Sequence, residues 1–162
     1  NQTGSDSHEN AAYYLDPWTQ LVHVALTIPR YRMNVIKLSQ ELGLPPARLE
    51  GILETLQTKG FIERKEERVS VLKDNIHLPK SSPYFESWHR GLRAAAQHQI
   101  SVSRNPINYS FSVVFSANED ARVEILRKWF DLLSNIESVA SACPEEDVFG
   151  LNFDLFTWRL EK

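Results

Sequence analysis

Asn34–Val71 reads NVIKLSQELGLPPARLEGILETLQTKGFIERKEERVSV. Asn34 is a helix-capping residue type, because its side-chain oxygen accepts an otherwise orphaned backbone N–H. Val35, Leu38 and Leu42 follow at helical spacing and give a short helix one apolar face. Gly43 suits the left-handed residue that closes a helix. Pro45 and Pro46 open the next helix, where the missing proline N–H would have had no partner. Leu49, Ile52, Leu53 and Leu56 form its buried stripe, and Gly60 stops it. Phe61 to Leu72 then suits two strands. Phe61 and Ile62 pack on the helices, Arg64, Lys65, Glu66, Glu67 and Arg68 form an exposed tip, and Val69, Val71 and Leu72 return.

Helix, tight turn, helix and hairpin is the order of a winged helix-turn-helix. In such modules the second helix of the pair enters the major groove of DNA. Opposite its apolar stripe that helix shows Arg48, Glu50, Gly51, Glu54, Thr55, Gln57 and Lys59. Arg48, Gln57 and Lys59 are therefore candidates for DNA contact, with Arg64, Lys65 and Arg68 from the wing. Lys37 and the pair Arg30/Arg32 add candidates for phosphate. Glu50 and Glu54 repel phosphates, and Glu63, Glu66 and Glu67 dilute the wing. The rival expectation is a winged helix kept as a scaffold that binds another protein.

The flanks place this stretch within the chain. Residues 1–11, NQTGSDSHENA, are polar and small and read as a flexible tail or linker. The chain has no initiating Met and this tail leads straight into folded-looking sequence, so we expect the C-terminal part of a longer protein. Tyr13 to Ile28 predicts a first helix, with Pro17 in its first turn and Pro29 at its end. Asn75 to Ser82 reads as a connector and domain boundary. Ser82-Pro83 starts a fourth helix to about Ile100, with Phe85, Trp88, Leu92, Ala95 and Ala96 inward.

The last third predicts a β-α-β unit. Tyr109, Phe111, Val113 and Phe115 alternate with serines, as a half-buried strand does. Ser116 to Glu119 matches a capping box for a helix running to about Ala142. Leu151, Phe153 and Leu155 make a closing strand, after which Phe156, Trp158 and Leu160 turn the other face apolar. Two strands are seldom stable alone. They call for a partner edge in the same chain or in a second subunit. The long helix is apolar around much of its circumference, which implies burial on more than one side. Ile125, Trp129, Leu132, Ile136 and Val139 are its candidates for a homodimer interface. The aromatic set Trp88, Phe111, Phe115, Trp129, Phe130, Phe153, Phe156 and Trp158 reads mostly as core. Asn152, Asp154 and Arg159 are the nearest polar groups should part of it line a ligand pocket, but no ligand is readable.

Composition narrows the function classes. Net charge is −3 over 162 residues. Residues 30–80 nevertheless carry ten Lys/Arg against seven Asp/Glu, while the segments on either side are acidic. That weak basic balance coincides with the winged-helix stretch but falls short of a strong basic stripe. There is no apolar run long enough for a membrane span and no signal-peptide pattern. The lone Cys143 suits a reducing cytoplasm and, lying in an apolar helical pattern, reads as a buried, inert thiol. The five histidines form neither HExxH nor zinc spacing, and His89 beside Trp88 and Arg90 reads as a packing residue. Glu145 to Asp147 reads as a solvated loop. No P-loop, GxGxxG or GxSxG occurs. No cofactor, metal or catalytic constellation is expected, so a non-enzymatic protein is.

Across Tyr13 to Leu160 the chain resembles a bacterial family of domains of unknown function, number 4423. The resemblance is carried by Tyr13-Tyr14 with Trp18 and His23, by Leu38 to Arg64, by His89-Arg90 with Leu92 and Ala95, and by Leu151-Asn152-Phe153-Asp154-Leu155-Phe156. Asp154 departs from the family's usual Gln before the last Leu-Phe pair. The resemblance implies a transcription regulator of a kind found in predatory bacteria. Members often carry a separate helix-turn-helix upstream, and residues 1–11 would then be the former linker. Together these readings predict an α+β chain: a tail over 1–11, a winged helix over 12–80, and a helix plus β-α-β dimerisation or sensing unit over 81–162. They predict the C-terminal region of a cytoplasmic transcription regulator that dimerises and reaches DNA through this module or one upstream.

Overall fold

The computed structural model describes residues 11–65, 68–73 and 78–160. Glu66 and Glu67 of the expected tip, part of the expected connector, and nearly all of the expected tail lie outside them. The elements are α1 (Ala11–Leu15), α2 (Pro17–Ala25), α3 (Pro29–Arg32), α4 (Val35–Leu42), α5 (Pro46–Thr58), β1 (Ile62–Lys65), β2 (Arg68–Val71), α6 (Phe85–Val102) and α7 (Glu119–Ser141). Helices with one small antiparallel sheet make the chain α+β. The described residues divide into two compact units. One runs through Ser103 and takes in Glu145–Gly150, and the other holds Arg104–Pro144 and the residues from Leu151 on. Helix α6 belongs to the first unit, whereas the sequence division grouped it with the C-terminal part.

The punctuation of Asn34–Val71 acts locally. The Asn34 carboxamide accepts from the Lys37 amide at 3.0 Å and caps α4. Gly43 closes α4 at φ 64, and Gly60 follows α5 at φ 70, both in the left-handed region that glycine enters without a Cβ clash. The two helix ends are alike. The Leu44 amide donates to the Ser39 carbonyl, and the Phe61 amide to the Leu56 carbonyl, each at 2.9 Å. These bonds satisfy carbonyls that a helix end leaves open. Buried Ser39 adds a bond from its hydroxyl to the Leu44 carbonyl at 2.6 Å, which ties the turn from inside.

The first expected helix, Tyr13 to Ile28, is cut in two, α1 and α2. Asp16 sits before Pro17, and a pre-proline residue is pushed out of the helical region. It is extended at φ −116, ψ 107, and its carboxylate accepts from the Trp18 amide to cap α2. Pro29 does not end α2, which already stops at Ala25 with Leu26 as its cap, but opens α3 instead. Helix α2 packs on α5, while α1 packs on both of these and on α6. The core between them is Val22, Leu26, Leu38, Leu53, Leu56 and Phe61, with Tyr13 and Tyr14.

Tyr13 carries a consequence for pH. Its hydroxyl and His23 Nδ1 lie 3.0 Å apart inside the core. Burial, and then the neighbouring Tyr14, push its phenol far above the ordinary value. The unfolded chain ionises near about pH 10, where the folded one does not, so stability is full below that value and falls above it. Chemical denaturation at stepped alkaline pH should show this decline, and Tyr13→Phe should flatten it. An equally steep decline in the variant would assign the loss to other groups.

The second unit departs furthest from expectation. Its residues form no strand among those described: the one sheet there is β1 with β2. The β-α-β unit is thus present as its helix alone: among the described residues neither Tyr109–Ser116 nor Leu151–Leu155 forms a strand. No described residue of this unit is buried, so α7 is not enclosed on several sides and the aromatics of this unit expected as core are not core, whereas Trp88 in the first unit packs against the core there. Cys143 is exposed for the same reason. The α7 cap is Asn118, which accepts from the Ala121 amide at 3.0 Å, rather than Ser116. On the polar side Arg127 bonds Glu124 and holds its carboxyl at about 2, helped by Lys128. On the apolar side Trp129 stacks on Phe153 with centroids 4.3 Å apart.

Candidate nucleic-acid interface

The candidate surface is the outer side of α5 with the hairpin. Arg48, Glu50, Glu54 and Gln57 are exposed along α5, and Lys59 is half-exposed at its end. Strand parity decides what the hairpin offers. Ile62 pairs with Val71, and Arg64 with Val69. Residues two apart share a face, so Arg64 lies on the face of buried Ile62 and Val69, towards the helices. Lys65 and Arg68, directly opposite each other, lie on the outer face with Glu63.

Most of the candidate cations are already held. The Arg64 guanidinium donates to both carboxylate oxygens of Glu50, at 2.5 and 3.1 Å. That fork ties the hairpin to α5 and weakens the charge Arg64 would show a phosphate. The same bonds hold the Glu50 carboxyl below the usual carboxylate range and raise Arg64. Arg48 pairs with Asp16 at 2.5 Å, so one carboxylate caps α2 and tethers the first turn of α5. Lys65 pairs with Glu63 at 3.1 Å, and Lys37 with Glu41 at 3.6 Å. Glu41 also accepts from the Tyr31 hydroxyl, whose oxygen accepts from Arg30 at 2.8 Å. Lys59 and Arg68 form no ion pair among the described residues. Exposed pairs are worth only about 0–1 kcal/mol, so they dim the positive field rather than lock it away.

The two partners Asp16 and Glu50 were missed as such from sequence. Asp16 stands 32 residues from Arg48 and has no periodic link to it. Arg64, expected at the exposed tip, is instead half-buried on the inner face, and its parity with Ile62 is the signal that could have shown this. Of the interface candidates on α7, Ile125, Trp129 and Ile136 are half-buried, while Leu132 and Val139 are exposed. His89 stacks on Phe85 at 5.4 Å and meets the Arg93 guanidinium, a packing position. Among the described residues no three His, Cys, Asp or Glu side chains gather as a metal would need, and no helix is long and apolar enough to cross a membrane.

Neither the curated proteins nor the solved structures hold a match to this chain. The model of one family, described as a domain of unknown function (DUF4423), matches residues 6–157, and by that match over nearly its whole length the chain belongs to this family.

Proposed function

We propose that this chain is the winged-helix and dimerising region of a cytoplasmic transcription regulator, acting without enzymatic turnover. The observation that supports this reading is the run α4, Gly43 turn, α5 and hairpin, with the outer face of α5 open to a partner. A base-reading helix needs that exposure and donors near its N-terminus, which Arg48 supplies. Gln57 and Lys59 extend the surface, and Lys65, Arg68 and Lys37 add phosphate contacts. Two copies would set two α5 helices over half-sites one DNA turn apart, about 34 Å. A sensed signal would act by altering that spacing. The carboxylates that hold Arg48, Arg64, Lys65 and Lys37 favour a second reading, in which the module docks a protein.

Titration against labelled random duplex DNA at low and moderate salt separates the two. A working DNA module should bind weakly, with a Kd of roughly 10⁻⁴–10⁻⁶ M, and lose about 0.9 log units per phosphate contact for each tenfold rise in salt. Absence of binding at low salt would remove the DNA reading for this module and leave the protein-docking one.

A further inference from the structure

The second unit exposes what a folded unit normally covers. Tyr109 is 86% exposed, Phe111 72% and Trp158 74%, and Phe115, Phe130 and Phe156 are also more than half exposed. A covered aromatic side chain buries about 150–250 Å², so these alone offer on the order of 800 Å² per copy. That equals about 800 Å², the share each partner gives to a stable interface of standard size. A unit that leaves this much apolar area uncovered, with none of its described residues buried, calls for a partner to cover it.

Three features decide the occupant. The first is charge: from Asn105 to Asn118 the chain holds no Asp, Glu, Lys or Arg. Proteins guard free strand edges with charge, and an unguarded strand-forming run of β-branched and aromatic residues is one built to be paired. A segment laid against its own copy meets no like-charge repulsion here, and no complementary charge is displayed for a different protein. The second is the alternation Tyr109, Phe111, Val113, Phe115 against Ser110, Ser112, Val114 and Ser116, which in a self-pair sets the aromatic-rich face opposite itself and the serine-rich face, interrupted by Val114, opposite itself. The third is supply. Both strands found among the described residues, β1 and β2, belong to the first unit, so the second unit holds no described strand of its own to offer.

We propose that Tyr109–Ser116 pairs antiparallel with the same segment of a second copy across a two-fold axis. The two copies then complete one sheet, to which each also brings Leu151–Leu155, covered on one side by the two α7 helices. Four strands with a covered face reach the size at which a sheet becomes stable, which two do not. Each α7 already brings Trp129 onto Phe153 as the start of that layer. A two-fold interface is self-complementary, as an uncharged alternating strand is. This rests on the dimer reading above and names the element that makes the dimer.

Sedimentation and light scattering on the 162-residue chain test it, without DNA. The chain should run at twice its 18.7 kDa. Ser112→Pro and Val113→Pro each remove one ladder N–H, pointing to opposite edges of the strand. One of them should raise the dissociation constant by about a hundredfold. Circular dichroism should show the helices of the first unit intact in both. In the unaltered chain, amides of Tyr109–Ser116 should be protected from hydrogen exchange and lose that protection on dilution. Dimers that survive both proline variants but separate with Val139→Glu would overturn the strand pairing and keep the dimer, now on α7. Unprotected amides in a dimer would overturn it equally. A monomer at every concentration would end both readings.

Discussion

Replacing Phe61 with alanine is expected to cost the first unit about 3–5 kcal/mol, the usual range for deleting a buried aromatic. Phe61 is 2% exposed and lies directly after the glycine that ends α5. Its ring meets Tyr13 at 4.8 Å and His23 at 5.5 Å, one residue from α1 and one from α2. Its carbonyl accepts from the Leu72 amide at 2.8 Å, just past the end of β2. One residue thus joins two helices to the base of the hairpin, and the surrounding rings cannot collapse far into the space it leaves. Against a whole-domain stability of about 5–15 kcal/mol, that is a large share. Urea unfolding followed by circular dichroism measures it. Ile36→Ala is the control: at 69% exposed it should shift stability by less than about 0.5 kcal/mol. A Phe61→Ala loss no larger than the control's would mean that the hairpin is not anchored on this ring.

Glu50→Lys should produce the largest gain in DNA affinity. It removes a carboxylate from the outer face of α5, adds a cation, and frees Arg64 from its fork. If this face meets phosphates, affinity at low salt should rise about tenfold or more, and the slope of log affinity against log salt should steepen by about 1–2. The stability cost should stay within about 1 kcal/mol, because the Glu50 side chain is half exposed and solvent screens the pair. Acid approaches the same state. The Glu50 carboxyl is held below its unfolded value, so the pair stabilises the fold at neutral pH and is lost as pH falls through the folded value. As pH falls through that lowered folded value, Arg64 should therefore be released in the unaltered chain too. Unchanged affinity in Glu50→Lys would take α5 and the hairpin off DNA and favour the protein-docking reading.

These two tests fall on opposite sides of what the sequence made legible. Asn34, Gly43, Pro46 and Gly60 act on backbone groups a few residues away, so their spacing is enough to place α4, α5 and the hairpin. The stripe Leu49, Ile52, Leu53 and Leu56 is buried as its period requires. Partner choice among charges is different. Glu50 reads from sequence as a group that repels phosphate, yet the fold brings Arg64 to it and both become a clamp. The strand-like alternation of Tyr109–Phe115 was legible as pattern, but a ladder is a property of two segments. Among the described residues the pattern is present and no second segment pairs with it.

The double duty of Asp16 sets a rule for whatever anion reaches α5. A phosphate that captures Arg48 takes it from Asp16, so capture and untethering are one competition, not two events. Linkage is reciprocal: anything that strengthens the Asp16 grip weakens the hold on the anion by the same factor, and the reverse. Because the same carboxylate caps α2, the start of that helix would register the occupancy of α5 with no other part moving.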